Sequence, residues 1–349
     1  MGRSEIQRIE QIISETIKLF DLDLHGVTVL TEAASGNFYI TPIIAALAGA
    51  KVFALAKDNQ YGAKGMIGRY VAAQAERFSM KDRIEILYLL TDQIIRESNI
   101  VTNLGVLRPI KSTFIRAMND TAIITSMCED WEVREEDIDR EECRKRGIIL
   151  GAVNEESEIR NIFRYVGYLA LKLIMETGLE IINNRYLIIS SDKFGRTINS
   201  VLKLNGAETK MLNTELLQRE DLTHQGLDGD FDAVIIADYS FTRPIVSSSG
   251  LITVAKIKEF FPLAKIIHLA GAVDSSYLHG HGITCYPPGQ GLSRRMSVTL
   301  DYLGIRSLIE LHTAGLKVGE ILYKERRSGL KSEEIQQKLA RHPLCQLLD

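Results

Sequence analysis

The 349-residue chain has only four cysteines, Cys128, Cys143, Cys285 and Cys345. None forms a CxxC pair or has a histidine partner at zinc-ligand spacing, so a zinc site or a disulfide framework is not expected, and a metal site is not assigned. This cysteine usage fits a reducing cytoplasm, the expected location. There is no excess of positive charge: the formal net charge is −3. A dedicated nucleic-acid binder normally needs a basic surface to neutralise phosphates, so no nucleic-acid partner is expected. The basic runs Arg140–Arg146 and Lys324–Arg327 read as solvated helix faces. No apolar N-terminal segment and no long apolar span is visible, which predicts neither secretion nor membrane insertion. A three-glycine dinucleotide fingerprint is also lacking, and this bears most on function.

What the chain does have is a pattern that occurs twice. Residues 99–155 contain an apolar strand, an Arg-Pro-Ile turn (Arg108-Pro109-Ile110), a helix, a second apolar strand and a Gly-Ile strand start. Residues 233–287 repeat this order around Arg243-Pro244-Ile245. Each copy follows another strand, a glycine-containing turn and a helix. Strands alternating with helices at this spacing predict an α/β fold of two tandem Rossmann-like parallel-sheet units, joined by a long helix and followed by C-terminal helices. Composition agrees: 45% hydrophobic and 25% charged residues are ordinary for a globular chain of two domains.

The domain reading is an N-terminal helix over 1–22, a first unit over 23–156, a connecting helix over 157–180, a second unit over 181–292 and C-terminal helices over 293–349. The first unit is the candidate cofactor domain and the second the candidate substrate domain. Apolar residues at Ile6, Ile9, Ile12, Ile13, Ile17, Leu19 and Phe20 follow a helical period. Thr41 as N-cap and Pro42 at the first helical position open a helix ending near Gly49. Residues 159–177 read as one buried helix. In the tail, helices are predicted over 296–312, 318–326 and 332–341, with Gly315 as a C-cap after His312.

Parallel α/β sheets bind ligands at the carboxyl ends of their strands. The turn after the first strand of the first unit is Thr31-Glu32-Ala33-Ala34-Ser35-Gly36. Only its last position carries a fingerprint glycine; Ala33 is small enough for a close approach, and Glu32 counts against a phosphate. In the second unit, Ser190-Ser191-Asp192-Lys193-Phe194-Gly195 again has only the last glycine and sets Asp192 where a phosphate would sit. Asp58, 22 residues after Gly36 near the end of the second strand, is placed to accept from a ribose 2′-hydroxyl, whereas neighbouring Lys57 would suit a 2′-phosphate. Ala33, Ser35, Gly36, Asp58, Thr102 and Gly105 are therefore the cofactor-binding candidates.

The run IVTNLGVLRPI, then FIRAMNDTAIITSM, then GIILGAVNEE resembles the later half of the nucleotide-binding domain in D-isomer-specific 2-hydroxyacid dehydrogenases. It is more loosely similar to S-adenosylhomocysteine hydrolase. Gly151-Ala152-Val153-Asn154-Glu155 resembles the AGxxLDVxExE segment of the dehydrogenases, with Asn154 in place of Asp. The segment Ile266–Asp274 is similar to their NTARGxxVD strand end, with Ala270 in place of Arg. The resemblance implies a Rossmann fold, NAD or NADP as cofactor, and a 2-hydroxy or 2-oxo acid substrate.

A hydride-transfer site needs an acid/base and usually a cation for a carboxylate. Asp238, His268, His279 and His281 are the acid/base candidates, all at strand ends or in the loops beyond them. Gly280 between two histidines would let both rings reach one ligand. Arg108, Arg243 and Asn103 are the substrate-binding candidates, the arginines as carboxylate or phosphate clamps. The leading reading is an NAD(P)-dependent oxidoreductase acting on a small anionic substrate in an interdomain cleft, and a homodimer is the assembly considered. The alternatives are an S-adenosylmethionine-dependent transferase, since an adenosyl ligand needs the strand-end carboxylate but not the pyrophosphate glycines, or a non-catalytic ligand sensor or scaffold.

Overall fold

The computed structural model describes residues 3–219, 230–330, 332–339 and 341–348. In chain order the elements begin with α1 (Arg3–Phe20), β1 (Thr28–Glu32), α2 (Ile40–Leu47), β2 (Lys51–Leu55), α3 (Lys64–Arg77), β3 (Ile84–Leu87), α4 (Asp92–Glu97), β4 (Ile100–Thr102), α5 (Ser112–Ala117), β5 (Ile123–Thr125), α6 (Arg140–Arg146) and β6 (Ile149–Val153). They continue with α7 (Tyr165–Glu176), β7 (Arg185–Ile189), α8 (Lys193–Leu204), β8 (Glu208–Leu212), α9 (Thr214–Arg219), β9 (Ala233–Ala237), β10 (Pro244–Val246), α10 (Val254–Phe260), β11 (Lys265–Ala270), β12 (Ala272–Val273), α11 (Ser275–Gly280) and β13 (Cys285–Tyr286). The chain closes with α12 (Ile305–Arg327), α13 (Ser332–Leu339) and β14 (Cys345–Leu347). Among the described residues no helix is long and apolar enough to cross a membrane.

Two compact units divide the chain: residues up to Ile162 together with those from Gly304 onward, and Phe163–Leu303. The sheet of unit 1 runs β3-β2-β1-β4-β5-β6-β14; its first six strands are parallel, and β14 pairs antiparallel with β6. The sheet of unit 2 runs β8-β7-β9-β11-β13, all parallel, with a separate two-stranded ribbon of β10 and β12. The strand order of the first six strands, 3-2-1-4-5-6, is that of dinucleotide-binding folds, and the order of unit 2, 2-1-3-4-5, is the other common doubly wound order. With β3 set aside the two orders coincide, so β7, β8, β9, β11 and β13 answer to β1, β2, β4, β5 and β6. The expected α/β class of two Rossmann-like units is the fold observed.

Burial explains why these segments form strands. β6 and β9 are buried at every residue, as continuous apolar runs in parallel sheets covered on both faces should be. One face of unit 1 is filled by Leu30, Phe53, Val101, Ile124 and Leu150 with α5 and α6. On the other, the 23-residue α12 lies against β4, β5 and β6. Its close approach depends on glycine. A Cβ on Gly315 would run into Met127, one on Gly319 would stand 2.9 Å from Ile100 Cγ2, and Gly151 of β6 accommodates Val318 and Leu322.

Several local expectations change. α12 passes through Gly315, so that glycine serves packing rather than capping, and the helices expected over 296–312 and 318–326 form one helix starting at Ile305. Thr41 and Pro42 lie inside α2, because a 3-10 turn over Gly36–Tyr39 starts the helical segment earlier. Thr41 instead holds His312: Oγ1 and Nδ1 are 2.5 Å apart, and both residues are buried. Burial pushes the His312 imidazole down to about 3, so it stays neutral. The helix read over 159–177 is ordered as α7 only from Tyr165, and it packs on α8 within unit 2. The last predicted helix is α13, with Ala340 outside the described residues.

Gly319→Leu tests this packing. Forcing a side chain between α12 and β4–β5 should cost about 1–3 kcal/mol and lower the unfolding midpoint by several degrees. An unchanged midpoint in a thermal melt would show that α12 does not bear on the sheet as described.

Candidate functional site

In an open parallel sheet the ligand crevice lies where the strand order reverses, outside the carboxyl ends of the two strands that part there. In unit 1 these are β1 and β4, and in unit 2 β7 and β9. The sequence candidates Ala33, Ser35, Gly36, Thr102, Asn103 and Gly105 all belong to the two segments that leave β1 and β4.

Ala33 is fully buried, and its amide donates to Leu55 O at 2.8 Å, fixing the turn against β2. Gly36 adopts φ +61°, which favours glycine, and no atom lies within 4 Å of where its Cβ would stand. Ser35 precedes the 3-10 turn and makes no side-chain cap bond there. Thr102 is buried and donates its hydroxyl to Thr31 Oγ1 at 2.9 Å. Asn103, 3% exposed, accepts from Met127 N at 3.3 Å and so ties the end of β4 to the segment after β5. Asp58 is exposed; its Oδ1 accepts from Lys64 N at 2.7 Å, helping to start α3.

The most consequential residue of this crevice is Glu32. Its carboxyl is buried, Oε2 accepts from Val106 N at 3.2 Å, and it sits on Gly105, where a Cβ would collide with Oε2. Burial raises its pKa, against the lowering effects of the Val106 amide and the Arg108 charge, which favours the neutral acid. A side chain at Gly105 would therefore have to displace the Glu32 carboxyl. From the β2 side Lys57 donates its ammonium to Val106 O at 2.6 Å, and burial lowers its pKa. Arg108 follows the same turn. Its Nη1 is 3.3 Å from Asp137 Oδ2, Asp137 is also held by Arg134, and about a third of the Arg108 side chain stays exposed.

Unit 2 treats the equivalent place differently. Asp192, after β7, accepts from Tyr239 N at 2.7 Å and Ser240 N at 3.0 Å, both on the segment after β9. Asp238, after β9, accepts from Ser191 N at 2.7 Å and Ser191 Oγ at 2.6 Å on the segment after β7. Each carboxylate takes amide hydrogens of the opposite loop. Burial, and then the charge of Asp238, raises the pKa of Asp192. Asp238 itself is fully buried.

The histidines do not converge. His268 is buried; its Nε2 is 2.8 Å from Gly271 O, to which it donates, and Gly291 packs on its ring. Burial pushes its pKa down to about 4, leaving it neutral at physiological pH. His279 lies in the last turn of α11, not in a glycine-hinged loop, exposed and with Nε2 3.4 Å from Cys285 O. His281 has Nδ1 2.8 Å from Tyr277 O and rests edge-on against the Tyr277 ring. Among the described residues no group of three or more His, Cys, Asp and Glu is arranged to hold a metal ion. Arg243 is exposed, with its guanidinium 5.6 Å from the Phe241 ring centre. The sequence reading did not give Glu32 and Asp192 their roles as occupants of loop amides. The signal was the mirrored composition of Ser190-Ser191-Asp192 and Asp238-Tyr239-Ser240.

No protein-family model matches the chain, and no curated protein matches it. Solved structures do. A phosphoglycerate oxidoreductase from Vibrio cholerae superposes with a TM-score of 0.50 at 10% identity, covering 86% of this chain and 99% of its own. A dipicolinate synthase polypeptide from Bacillus halodurans gives 0.48 at 13% identity, covering 87% and 99%. NAD+-bound 3-phosphoglycerate dehydrogenase from Entamoeba histolytica gives 0.47 at 12%, covering 87% and 96%. At these identities the likeness concerns the fold. The chain has a two-unit Rossmann-like α/β architecture, a fold it shares with the Vibrio cholerae phosphoglycerate oxidoreductase.

The raised pKa of Glu32 has a measurable consequence. The folded chain holds this proton more tightly than the unfolded chain, so the associated stability is full below the ordinary value of 4.5 and is lost as pH rises through the raised one. Glu32→Gln keeps an acceptor for Val106 N and removes the titration. Its melting temperature should gain on that of the unaltered protein steadily from pH 4.5 upward. A difference independent of pH would contradict burial of an ionisable Glu32 carboxyl.

Proposed function

We propose that the chain is an NAD(P)-dependent oxidoreductase that holds its dinucleotide on unit 1 and acts on a small anionic substrate of the 2-hydroxy or 2-oxo acid type. The observation that carries this reading is the 3-2-1-4-5-6 strand order of unit 1, with the Ala33–Gly36 turn, Thr102 and Gly105 at the reversal point. The residues fit such a group. Gly36 opens the turn, Asp58 is exposed with one carboxylate oxygen held by Lys64 N, and Glu32 is favoured in its uncharged form. Unit 2 offers less, because Asp192 and Asp238 already occupy loop amides that a phosphate would need.

The bound nicotinamide would supply the hydride acceptor or donor. On this reading Asp58 accepts from the adenosine ribose. Arg108, oriented by Asp137 and partly exposed, is the anion-pairing group of unit 1, and Arg243 that of unit 2. His279 is the preferred proton-handling group, because it is exposed and its contact with Cys285 O is long. His268 is less suited, being enclosed and donating to Gly271 O. Asn103 and Asp238 support the loops that carry these groups.

A second reading, an S-adenosylmethionine-binding transferase, is favoured by one observation. Glu32 stands immediately before the turn in which a pyrophosphate would need close backbone approach, whereas an adenosyl ligand needs only the Asp58 end of the crevice.

Calorimetric titration with NADH, NADPH and S-adenosylmethionine separates the readings. Saturable dinucleotide binding is expected, weakened about tenfold in Asp58→Ala through loss of one charged hydrogen bond. Binding of the adenosyl ligand alone would move the protein to the transferases. No binding of any ligand by the folded protein would leave a sensor or scaffold.

A further inference from the structure

The backbone of Val106 is held from both sides. Its amide donates to the Glu32 carboxyl, from the end of β1, and its carbonyl accepts from the Lys57 ammonium, from the end of β2. In the sheet β1 lies between β2 and β4. Lys57 stands two residues beyond β2, and Val106 lies in the 3-10 turn Gly105–Leu107 that follows β4. To reach Val106 O, the Lys57 side chain must therefore cross the carboxyl end of β1, over the crevice where the strand order reverses.

We infer that Lys57, Val106 and Glu32 form a strap that closes the ligand crevice of unit 1, and that a dinucleotide enters only when the Lys57–Val106 bond opens. This rests on the nucleotide reading given above. The ends of the strap differ in strength. The Glu32 contact is long at 3.2 Å and made by a carboxyl whose neutral form is favoured. The Lys57 contact is short at 2.6 Å and carries an ammonium charge. Charge-assisted bonds are the stronger kind, so the Lys57 contact is the one that holds the strap closed and whose loss opens it. The Gly105–Leu107 turn is held internally by Leu107 N to Leu104 O at 2.9 Å and anchored by Leu107 in the core, whereas Lys57 is exposed, so the side chain of Lys57 is the part that moves.

Lys57→Met tests the strap, since methionine keeps much of the apolar stem and removes the ammonium. Two readouts are taken on the full chain: amide hydrogen exchange over residues 104–108 without ligand, and NADH affinity by calorimetry. The strap predicts that the Val106 and Leu107 amides exchange about tenfold faster in the variant. It also predicts that NADH binds about tenfold more tightly, because the closed state no longer competes with ligand entry. Unchanged exchange would overturn the strap whatever the ligand result. Faster exchange with weaker NADH binding would overturn its closing role and make Lys57 a ligand-pairing cation. Faster exchange with no NADH binding by either protein would reject gating and the dinucleotide reading together, leaving only a loop clamp. Tighter NADH binding in Lys57→Met, set against weaker binding in Asp58→Ala, supports the strap and the nucleotide reading separately.

Discussion

Parallel strands that part company at the point of order reversal leave backbone amides facing outward with no sheet partner, and buried amides of this kind have to be satisfied. Both units of this chain meet that constraint with their own carboxyl groups. Unit 2 uses two: Asp192 and Asp238 reach across to each other's loops and take the amides of Tyr239, Ser240 and Ser191. Unit 1 uses one buried carboxyl, Glu32, on one amide, Val106, while the turn at Gly36 stays open. Three loop amides taken by two carboxylates in unit 2, against one taken by one carboxyl in unit 1, distinguish the units chemically, although their strand orders coincide once β3 is set aside.

The rest of unit 1 serves to hold that point. α12 lies on the sheet through Gly315 and Gly319 and fixes β4 and β5, the strands whose ends carry Thr102, Asn103 and Ser126. Thr125 Oγ1 donates to Gly315 O, and the buried Thr41–His312 pair joins α12 to α2 just beyond the turn. The Glu32 carboxyl lies directly on Gly105, in the space a side chain there would take. A small residue that the sequence offers for close ligand approach is in contact with an internal carboxyl.

The architecture was legible because alternation of apolar strands and helices is a local signal. Val29, Leu30, Val52 and Phe53 announce buried strands, and the twofold Arg-Pro-Ile pattern marks matching strands in two sheets. Helix limits in the tail were misread because Gly315 is a cap by its local preference and a packing residue by its contact with Met127, which lies far away in sequence. Antiparallel β14, added to β6 from the far end of the chain, had no local signature either. At the site, spacing identified the turn and Asp58. The partners of Glu32, Lys57 and Asp192 were not legible, because each depends on a loop 47 to 74 positions away: Val106 for Glu32 and Lys57, and Tyr239 and Ser240 for Asp192. The histidine pair shows the same limit. His279-Gly280-His281 reads as a hinged loop, but the α11 turn directs the two rings to different carbonyls.

The most direct test of the account is a crystal structure of the chain with NADH. The account predicts the dinucleotide across the carboxyl ends of β1 and β4, its adenosine ribose on Asp58 and its pyrophosphate at Ala33–Gly36, with Lys57 withdrawn from Val106 O. A dinucleotide bound instead in unit 2, at Asp192 and Asp238, or a unit 1 crevice still strapped in a ligand-bound crystal, would contradict it.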